Sequence, residues 1–211
     1  MTELEARIQE AGIIVVLRGD FTPERLSAIA EAITDGGISV FELTLNSTDA
    51  ANGIGRLLDQ FGDRAIIGAG TARNVADVET ALAAGARFIV SPNFDAASVA
   101  RSHAAGVPHI PGVFSPSEVQ DAHAAGCGLV KLFPIDVVGP RYLKALRAPL
   151  NDVGFIAVGG IDENNLGDYI RAGAVAVGVG SSLARPEDSP ETIRGKAARL
   201  VSALQEARKA E

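Results

Sequence analysis

The sequence predicts an α/β fold, a (β/α)8 TIM barrel of parallel strands with one extra N-terminal helix. Short apolar runs alternate with helical patterns from end to end. Eight such units follow one another roughly 20–27 residues apart, the spacing of strand-and-helix repeats in a barrel. No linker or low-complexity segment interrupts them. An open doubly wound sheet is the rival architecture, but eight regular units without an obvious reversal favour closure. We therefore expect one barrel domain over residues 1–211.

The local signals support each unit in turn. The leading helix is expected at about Thr2–Glu10, and Thr22-Pro23 caps and opens the next helix. Four later helices are expected to stop at an Ala-Gly pair, which suits a left-handed cap. The predicted strands are Ile13–Leu17, Val40–Leu45, Ala65–Gly68, Phe88–Ser91, His109–Gly112, Leu129–Phe133, Phe155–Gly159 and Val175–Gly178.

Composition narrows the class of protein. The chain is 47% hydrophobic and 21% charged, which suits a compact domain with a sizeable core. Its net charge is −7 and it has no basic run, so nucleic acid and anionic membranes are unexpected partners. The one cysteine, Cys127, forms no intrachain disulfide and leaves no cysteine-based metal site. The N-terminal segment resembles an acidic amphipathic helix rather than a signal peptide, and we expect a cytoplasmic protein.

The strand Leu129–Phe133 carries one lysine, Lys131, at its centre. Burial of an unpaired ammonium group is costly, and the neutral amine that burial favours is a nucleophile towards carbonyl compounds. A lysine that reaches a strand end or pairs with a buried carboxylate explains the same pattern. This stretch alone does not choose between the two interpretations.

Other polar residues also fall at carboxyl ends of the predicted strands, where a barrel builds its active site. Arg18 follows the first strand, and Glu42 lies on the second. Lys131 and Glu42 could simply neutralise each other inside the barrel. Since both would lie at the site end, we favour a role for Lys131 as nucleophile and for Glu42 as general acid and base.

Glycines end the last two strands. Gly159-Gly160 follows the seventh strand, and Gly180-Ser181 follows the eighth. The loops after these two strands often bind phosphate in this fold, because glycine lets backbone N–H groups approach an anion. Glycine also closes tight turns, but the two pairs together favour a phosphorylated substrate.

Segments around Glu42, Gly70, Pro92, Lys131 and Gly159 carry a resemblance that runs in order over nearly the whole chain. They resemble the class I aldolases of 2-keto-3-deoxy-6-phospho sugar acids. The resemblance implies that Lys131 forms a Schiff base, that Glu42 is the general acid and base, and that Arg18 and Thr71 hold the carboxylate and keto end of the substrate. It also implies that Pro92 contacts substrate. By the same resemblance, phosphate binds at Gly159, Gly160, Gly180 and Ser181. The matching segments are Phe41-Glu42-Leu43-Thr44-Leu45-Asn46-Ser47, Ile67-Gly68-Ala69-Gly70-Thr71, Ser91-Pro92-Asn93, Pro111-Gly112, Val130-Lys131-Leu132-Phe133-Pro134 and Val158-Gly159-Gly160-Ile161.

Two places separate two branches of this family, which differ in the C4 epimer they cleave. The gluconate branch typically has an arginine soon after the catalytic glutamate, where this chain has Leu45-Asn46-Ser47. Val158 stands where the gluconate branch typically has a threonine, and a valine cannot hydrogen-bond a substrate hydroxyl. This resembles the galactonate branch, with products pyruvate and glyceraldehyde 3-phosphate. The gluconate epimer and 4-hydroxy-2-oxoglutarate remain alternative substrates. Relatives are commonly trimers, and the chemistry calls for no metal or cofactor.

Two other functions stay open at this stage. In a phosphate-binding barrel isomerase or epimerase, Glu42 would enolise the substrate while Lys131 only stabilised charge. In a non-catalytic sugar-phosphate sensor, the barrel would bind ligand without turnover, although the presence of both side chains speaks against this.

Overall fold

A computed structural model describes residues 1–185 and 187–209, and its sheet is a parallel barrel. In this described part, nine strand segments are hydrogen-bonded in the order β5-β4-β3-β2-β1-β9-β8-β7-β6. They are β1 (Ile13–Leu17), β2 (Val40–Thr44), β3 (Ile66–Gly70), β4 (Ile89–Val90), β5 (His109–Ile110), β6 (Gly112–Val113), β7 (Leu129–Leu132), β8 (Gly154–Val158) and β9 (Ala176–Val179).

The barrel closes at the segment that contains Pro111. A single strand was predicted there, and the structure divides it into β5 and β6 because proline has no N–H to donate to a ladder. β5 pairs with β4, whereas β6 pairs with β7. Between them, Lys131 N donates to Pro111 O at 2.9 Å. The two ends of the strand order therefore meet, and eight strand positions form the predicted barrel.

Helices surround the barrel, and their ends follow local sequence signals. Thr2 closes a capping box with Glu5, so the first helix begins one residue later than predicted. Thr22 and Pro23 cap and open the second helix as predicted. The described helices are α1 (Glu3–Ala11), α2 (Pro23–Asp35), α3 (Ala50–Phe61), α4 (Val75–Ala83), α5 (Ala96–Ala104), α6 (Pro116–Ala124), α7 (Pro140–Arg147), α8 (Leu166–Arg171) and α9 (Pro190–Lys209).

The four Ala-Gly pairs end helices as predicted. Their glycines have φ between +74° and +102°, in the left-handed region that favours glycine. They are Gly85, Gly106, Gly126 and Gly173. No helix in the described ranges combines the length and apolarity that crossing a membrane requires.

Alternate residues of each strand divide the core into two parts. Ile14, Val40 and Leu129 point inward and pack with Ile8 of α1, which covers the amino end of the barrel. The intervening residues, such as Phe41 and Val130, pack outward against the helices. The inner layer is thus apolar at the amino end, and the polar inward residues lie nearer the carboxyl end.

One buried polar cluster lies outside the barrel interior. His109 is fully buried, and its Nε2 is 3.0 Å from Ser91 Oγ, whose hydroxyl donates to Asn93 O. Burial, with a smaller contribution from the nearby His103, lowers the pKa of His109 to about 4. The neutral imidazole is therefore the form that the folded protein holds at neutral pH.

We expect His109 to make the protein less stable as the pH falls from about 6.5 to about 4. Its folded-state pKa lies below the unfolded value, so the unfolded chain binds a proton that the folded chain excludes in this window. The loss amounts to about 3 kcal/mol once complete. Urea unfolding across this range measures it.

His109→Gln should reduce this pH-dependent loss, whatever it costs in stability at neutral pH. His123→Gln is the matched control, because His123 is on the surface of α6 and pairs with Asp152. An unchanged pH dependence in His109→Gln would contradict the assignment.

Candidate active site

A pocket of about 420 Å³ opens at the carboxyl end of the barrel. It brings together seven of the candidate site residues predicted from the sequence, from four separate parts of the chain. They are Arg18, Lys131, Val158, Gly159, Gly160, Gly180 and Ser181. This volume lies in the range of small-molecule sites.

Lys131, which lines the pocket, forms a buried ion pair with Glu42, which is not among the lining residues. Lys131 Nζ is 3.8 Å from Glu42 Oε1, and the two side chains are 6% and 3% exposed. The ring centroid of Phe133 lies 5.2 Å from the same nitrogen. Within the described residues, Glu42 Oε1 accepts no hydrogen bond. One carboxylate oxygen is therefore available to exchange protons with a ligand on the amine.

A glycine on the neighbouring strand β3 makes room for the Glu42 side chain. Glu42 and Thr44 of β2 are in register with Gly68 and Gly70 of β3. A Cβ on Gly70 would overlap Glu42 Oε1, Cγ and Cδ, so the side chain can lie where it does only because residue 70 is glycine. On the other side, Lys131 is in register with Gly112 of β6.

Ser47 ties the strand that carries Glu42 to the loop that carries Arg18. Its hydroxyl accepts from Gly19 N at 3.1 Å and lies 2.9 Å from Thr44 Oγ1. Ser47 and Thr44 are both buried. The sequence analysis did not single out Ser47, because a serine after a strand gives no sign of which loop it meets.

Thr71 and Pro92 follow β3 and β4 at the same end of the barrel, but neither lines the pocket. Thr71 has φ +62°, an uncommon conformation for a β-branched residue. The backbone of Pro92 lies where a Cβ on Gly112 would be. Pro92 therefore packs over β6, beside the strand of Lys131.

The two glycine loops are joined across the pocket. Gly159 and Gly160 have φ +123° and +61°, so the turn after β8 needs residues without a Cβ. Ser182 Oγ, in the loop after β9, donates to Ile161 O at 2.7 Å. This hydrogen bond fixes the two loops relative to each other. Ser182, like the pocket-lining Arg185, was missed by the sequence analysis.

Two histidines and the single cysteine lie away from the pocket. His103 and His123 are on the outer helices α5 and α6. Burial raises the pKa of the Cys127 thiol to about 12, which makes it a poor nucleophile. No group of three or more His, Cys, Asp or Glu residues suited to hold a metal ion occurs among the described residues.

Comparisons with known proteins agree on the class. The family model "Aldolase: KDPG and KHG aldolase" matches residues 4–193. The 2-dehydro-3-deoxy-6-phosphogalactonate aldolase of Escherichia coli (strain K12) is 37% identical over 92% of this chain and 95% of its own length. A solved structure described as native KDPGal is 34% identical, covers 93% of this chain and 96% of its own, and has a TM-score of 0.88.

A further solved structure carries information about chemistry. It is the KDPG aldolase of Legionella pneumophila with pyruvate captured at low pH as a covalent carbinolamine intermediate. The Legionella protein is 30% identical to this chain. The match covers 92% of this chain and 96% of the Legionella chain, with a TM-score of 0.84. Fold and relatives together define an aldehyde-lyase built on a parallel barrel. The chain belongs to the KDPG and KHG aldolase family.

We expect Gly70→Ala to lower aldolase kcat by about 100-fold, within the range for loss of a general acid–base group. The added methyl group displaces the Glu42 carboxylate, the flexible end of a side chain, so the barrel should still fold. Steady-state kinetics and thermal unfolding measure the two effects.

The matched control is Gly55→Ala on α3, where nothing lies within 4 Å of the new Cβ. It should leave kcat unchanged and raise stability slightly, because alanine is the better helix former. Full activity in Gly70→Ala would show that the observed position of Glu42 is not needed.

Proposed function

We propose that this enzyme is a class I aldolase that cleaves 2-dehydro-3-deoxy-6-phosphogalactonate to pyruvate and D-glyceraldehyde 3-phosphate. The observation that carries the proposal is the buried Lys131 amine at the pocket wall, 3.8 Å from Glu42 Oε1. A buried amine beside a carboxylate is the pair that Schiff-base chemistry needs, namely a nucleophile and a group that moves protons. The covalent pyruvate adduct of the Legionella relative supports the same chemistry here.

The proposed cycle begins when the Lys131 amine attacks the C2 keto group and loss of water gives a protonated imine. This cation accepts the electron pair of the C3–C4 bond as it breaks, so an enamine forms rather than a free carbanion. Glu42, directly or through a water, takes the proton of the C4 hydroxyl, and glyceraldehyde 3-phosphate leaves. Protonation of the enamine at C3 and hydrolysis of the imine then release pyruvate and regenerate the amine. Because the imine is the electron sink, the scheme needs no metal or cofactor.

The remaining site residues hold the two ends of the substrate in this proposal. Arg18 binds the carboxylate of the substrate. Thr71 and Pro92 lie at the same end of the barrel, outside the pocket lining, and contact the keto end. The phosphate lies between the loops after β8 and β9, where the lining glycines allow close backbone approach. It would contact Gly159, Gly160, Gly180 and Ser181.

Val158 supports the galactonate epimer as substrate. It lies on β8 directly before Gly159 and lines the pocket, and its side chain fills the space beside Gly178. A valine offers no hydrogen bond to a C4 hydroxyl, so it cannot favour the epimer that such a bond would hold. The second candidate is cleavage of the gluconate epimer, which the 30% identity to the Legionella KDPG aldolase favours. Cleavage of 4-hydroxy-2-oxoglutarate is the other alternative.

We also propose that the chain acts as one barrel domain, assembles into a homotrimer and works in the cytoplasm. The family resemblance supports the trimer, and so do the exposed side chains of Val137 and Val138 in the loop after β7. Analytical ultracentrifugation tests the assembly, and cell fractionation tests the location.

Pyruvate with borohydride should trap a covalent adduct on Lys131, because reduction converts the imine into a stable secondary amine. Peptide mass spectrometry locates the adduct. Lys131→Met should lose both the adduct and all measurable cleavage. Lys144→Met, which alters an exposed lysine on α7, is the control and should keep both. An active wild-type enzyme without an adduct would favour the isomerase-like role for Lys131.

The two C4 epimers should be cleaved at different rates, with kcat/KM higher for the galactonate epimer. Val158→Thr should shift this ratio towards the gluconate epimer by about 10-fold, the effect of one hydrogen bond of about 1.4 kcal/mol. Ala157→Ser, which points outward on the same strand, is the control. A wild-type preference for the gluconate epimer would overturn the assignment of substrate.

A further inference from the structure

The pocket holds one more positive charge than the proposed chemistry uses. Among its described lining residues, three are cationic: Arg18, Lys131 and Arg185. Arg18 and Lys131 are assigned to the carboxylate and keto end of the substrate. The other end is a phosphate, which carries a charge of about −1.5 to −2 at neutral pH. Backbone N–H groups alone would leave that charge without a cationic partner.

Arg185 lies next to the proposed phosphate loop. The backbone N–H groups of Leu183 and Ala184 both donate to Gly180 O, which folds residues 180–184 into a single turn. Arg185 follows this turn, and its Nε donates to Ser181 O at 3.3 Å. The guanidinium group is therefore hydrogen-bonded to Ser181, whose backbone and hydroxyl are proposed to face the phosphate.

The terminal nitrogens of Arg185 remain available to a ligand. They have no hydrogen-bond or ion-pair partner in the part of the chain that the structure describes. A guanidinium presents these N–H groups as a planar fork that matches two phosphate oxygens. The group is exposed at the pocket mouth, so an incoming phosphate can reach it.

The neighbouring acids have other hydrogen-bond donors, although Asp188 also attracts this arginine. Asp188 Oδ2 accepts from Lys196 Nζ at 2.8 Å and from the backbone N of Arg185. The hydrogen bond from Lys196 is the main cause of the lowered pKa of Asp188. Asp162 Oδ1, the acid that lines the pocket, accepts from the backbone of Asn164 and Asn165. Each carboxylate already has its own donors.

We propose that Arg185 is a phosphate-binding residue of this enzyme and supplies the positive charge at the phosphate end of the pocket. This inference rests on the proposed aldolase function and extends it. Arg185 acts on binding of the phosphorylated end and takes no part in the steps at C2 and C4.

The test compares condensation of pyruvate with glyceraldehyde 3-phosphate and with glyceraldehyde, which lacks the phosphate. Arg185→Gln should raise KM for glyceraldehyde 3-phosphate about 10-fold, the effect of losing one charged hydrogen bond. KM for glyceraldehyde and kcat for both acceptors should change less than about 2-fold. Arg185→Lys should recover part of the loss because it restores the charge without the fork. Arg101→Gln on α5, whose side chain pairs with Glu79, is the matched control and should match the wild type.

The outcomes separate this inference from the proposed function. If Arg185→Gln weakens both acceptors equally, the arginine only supports the loop; if it weakens neither, it binds no phosphate. Either result overturns the proposal. If the wild type condenses neither acceptor, the aldolase scheme has failed, and calorimetry with inorganic phosphate still decides the role of Arg185. A 10-fold weaker affinity in Arg185→Gln supports the proposal, and equal affinity overturns it.

Discussion

The ion pair between Lys131 and Glu42 is the constraint on which the rest of this barrel depends. Each charge loses most of its hydration inside the protein, at a cost of several kcal/mol per ion. Their separation of 3.8 Å returns part of that energy, yet Glu42 Oε1 has no hydrogen-bond donor among the described residues. Removing either partner would leave an uncompensated buried charge. The fold around them must therefore be stable enough to hold this unfavourable arrangement.

The interior of the barrel is apolar at its amino end and carries the ion pair nearer its carboxyl end. At the amino end, Ile8 of α1 packs with inward aliphatic residues and seals the core. At the carboxyl end the inward positions carry Glu42 and Lys131, and Gly70 leaves space for the Glu42 side chain. Apolar burial at one end supplies stability, and the other end is free to hold polar groups at a cost. The two ends can vary independently for this reason.

Much of this arrangement could be predicted from the sequence, because its causes are local. The apolar runs predicted the strands, because a buried strand shows a characteristic side-chain pattern. The Ala-Gly pairs predicted the helix ends, because glycine readily adopts the left-handed conformation. Lys131 could be identified because a charge inside a buried strand is conspicuous. The break at Pro111 was missed, although proline cannot donate to a ladder, because the apolar residues around it continue the strand pattern.

The residues that were not predicted make their contacts with parts of the chain that are distant in sequence. Ser47 meets Gly19, and Ser182 meets the carbonyl of Ile161, and neither approach can be inferred from neighbouring residues. Serines in loops are common, so the hydroxyl gains meaning only when folding brings a partner to it. Thr71 and Pro92 follow predicted strands, which places them at the site end of the barrel, but their roles were predicted only from the family resemblance.

Under the proposed function, strand register also explains how one barrel can distinguish two epimers of a substrate. Lys131 of β7 is in register with Ile156 of β8, so Val158 is the next inward position towards the pocket mouth. Gly159 follows directly. If the imine fixes C2 at Lys131 and the phosphate is held beyond Gly159, then the C4 hydroxyl must pass beside residue 158. The two epimers differ only in the orientation of this hydroxyl. A single hydrogen-bonding group at position 158 can therefore shift the preference between them.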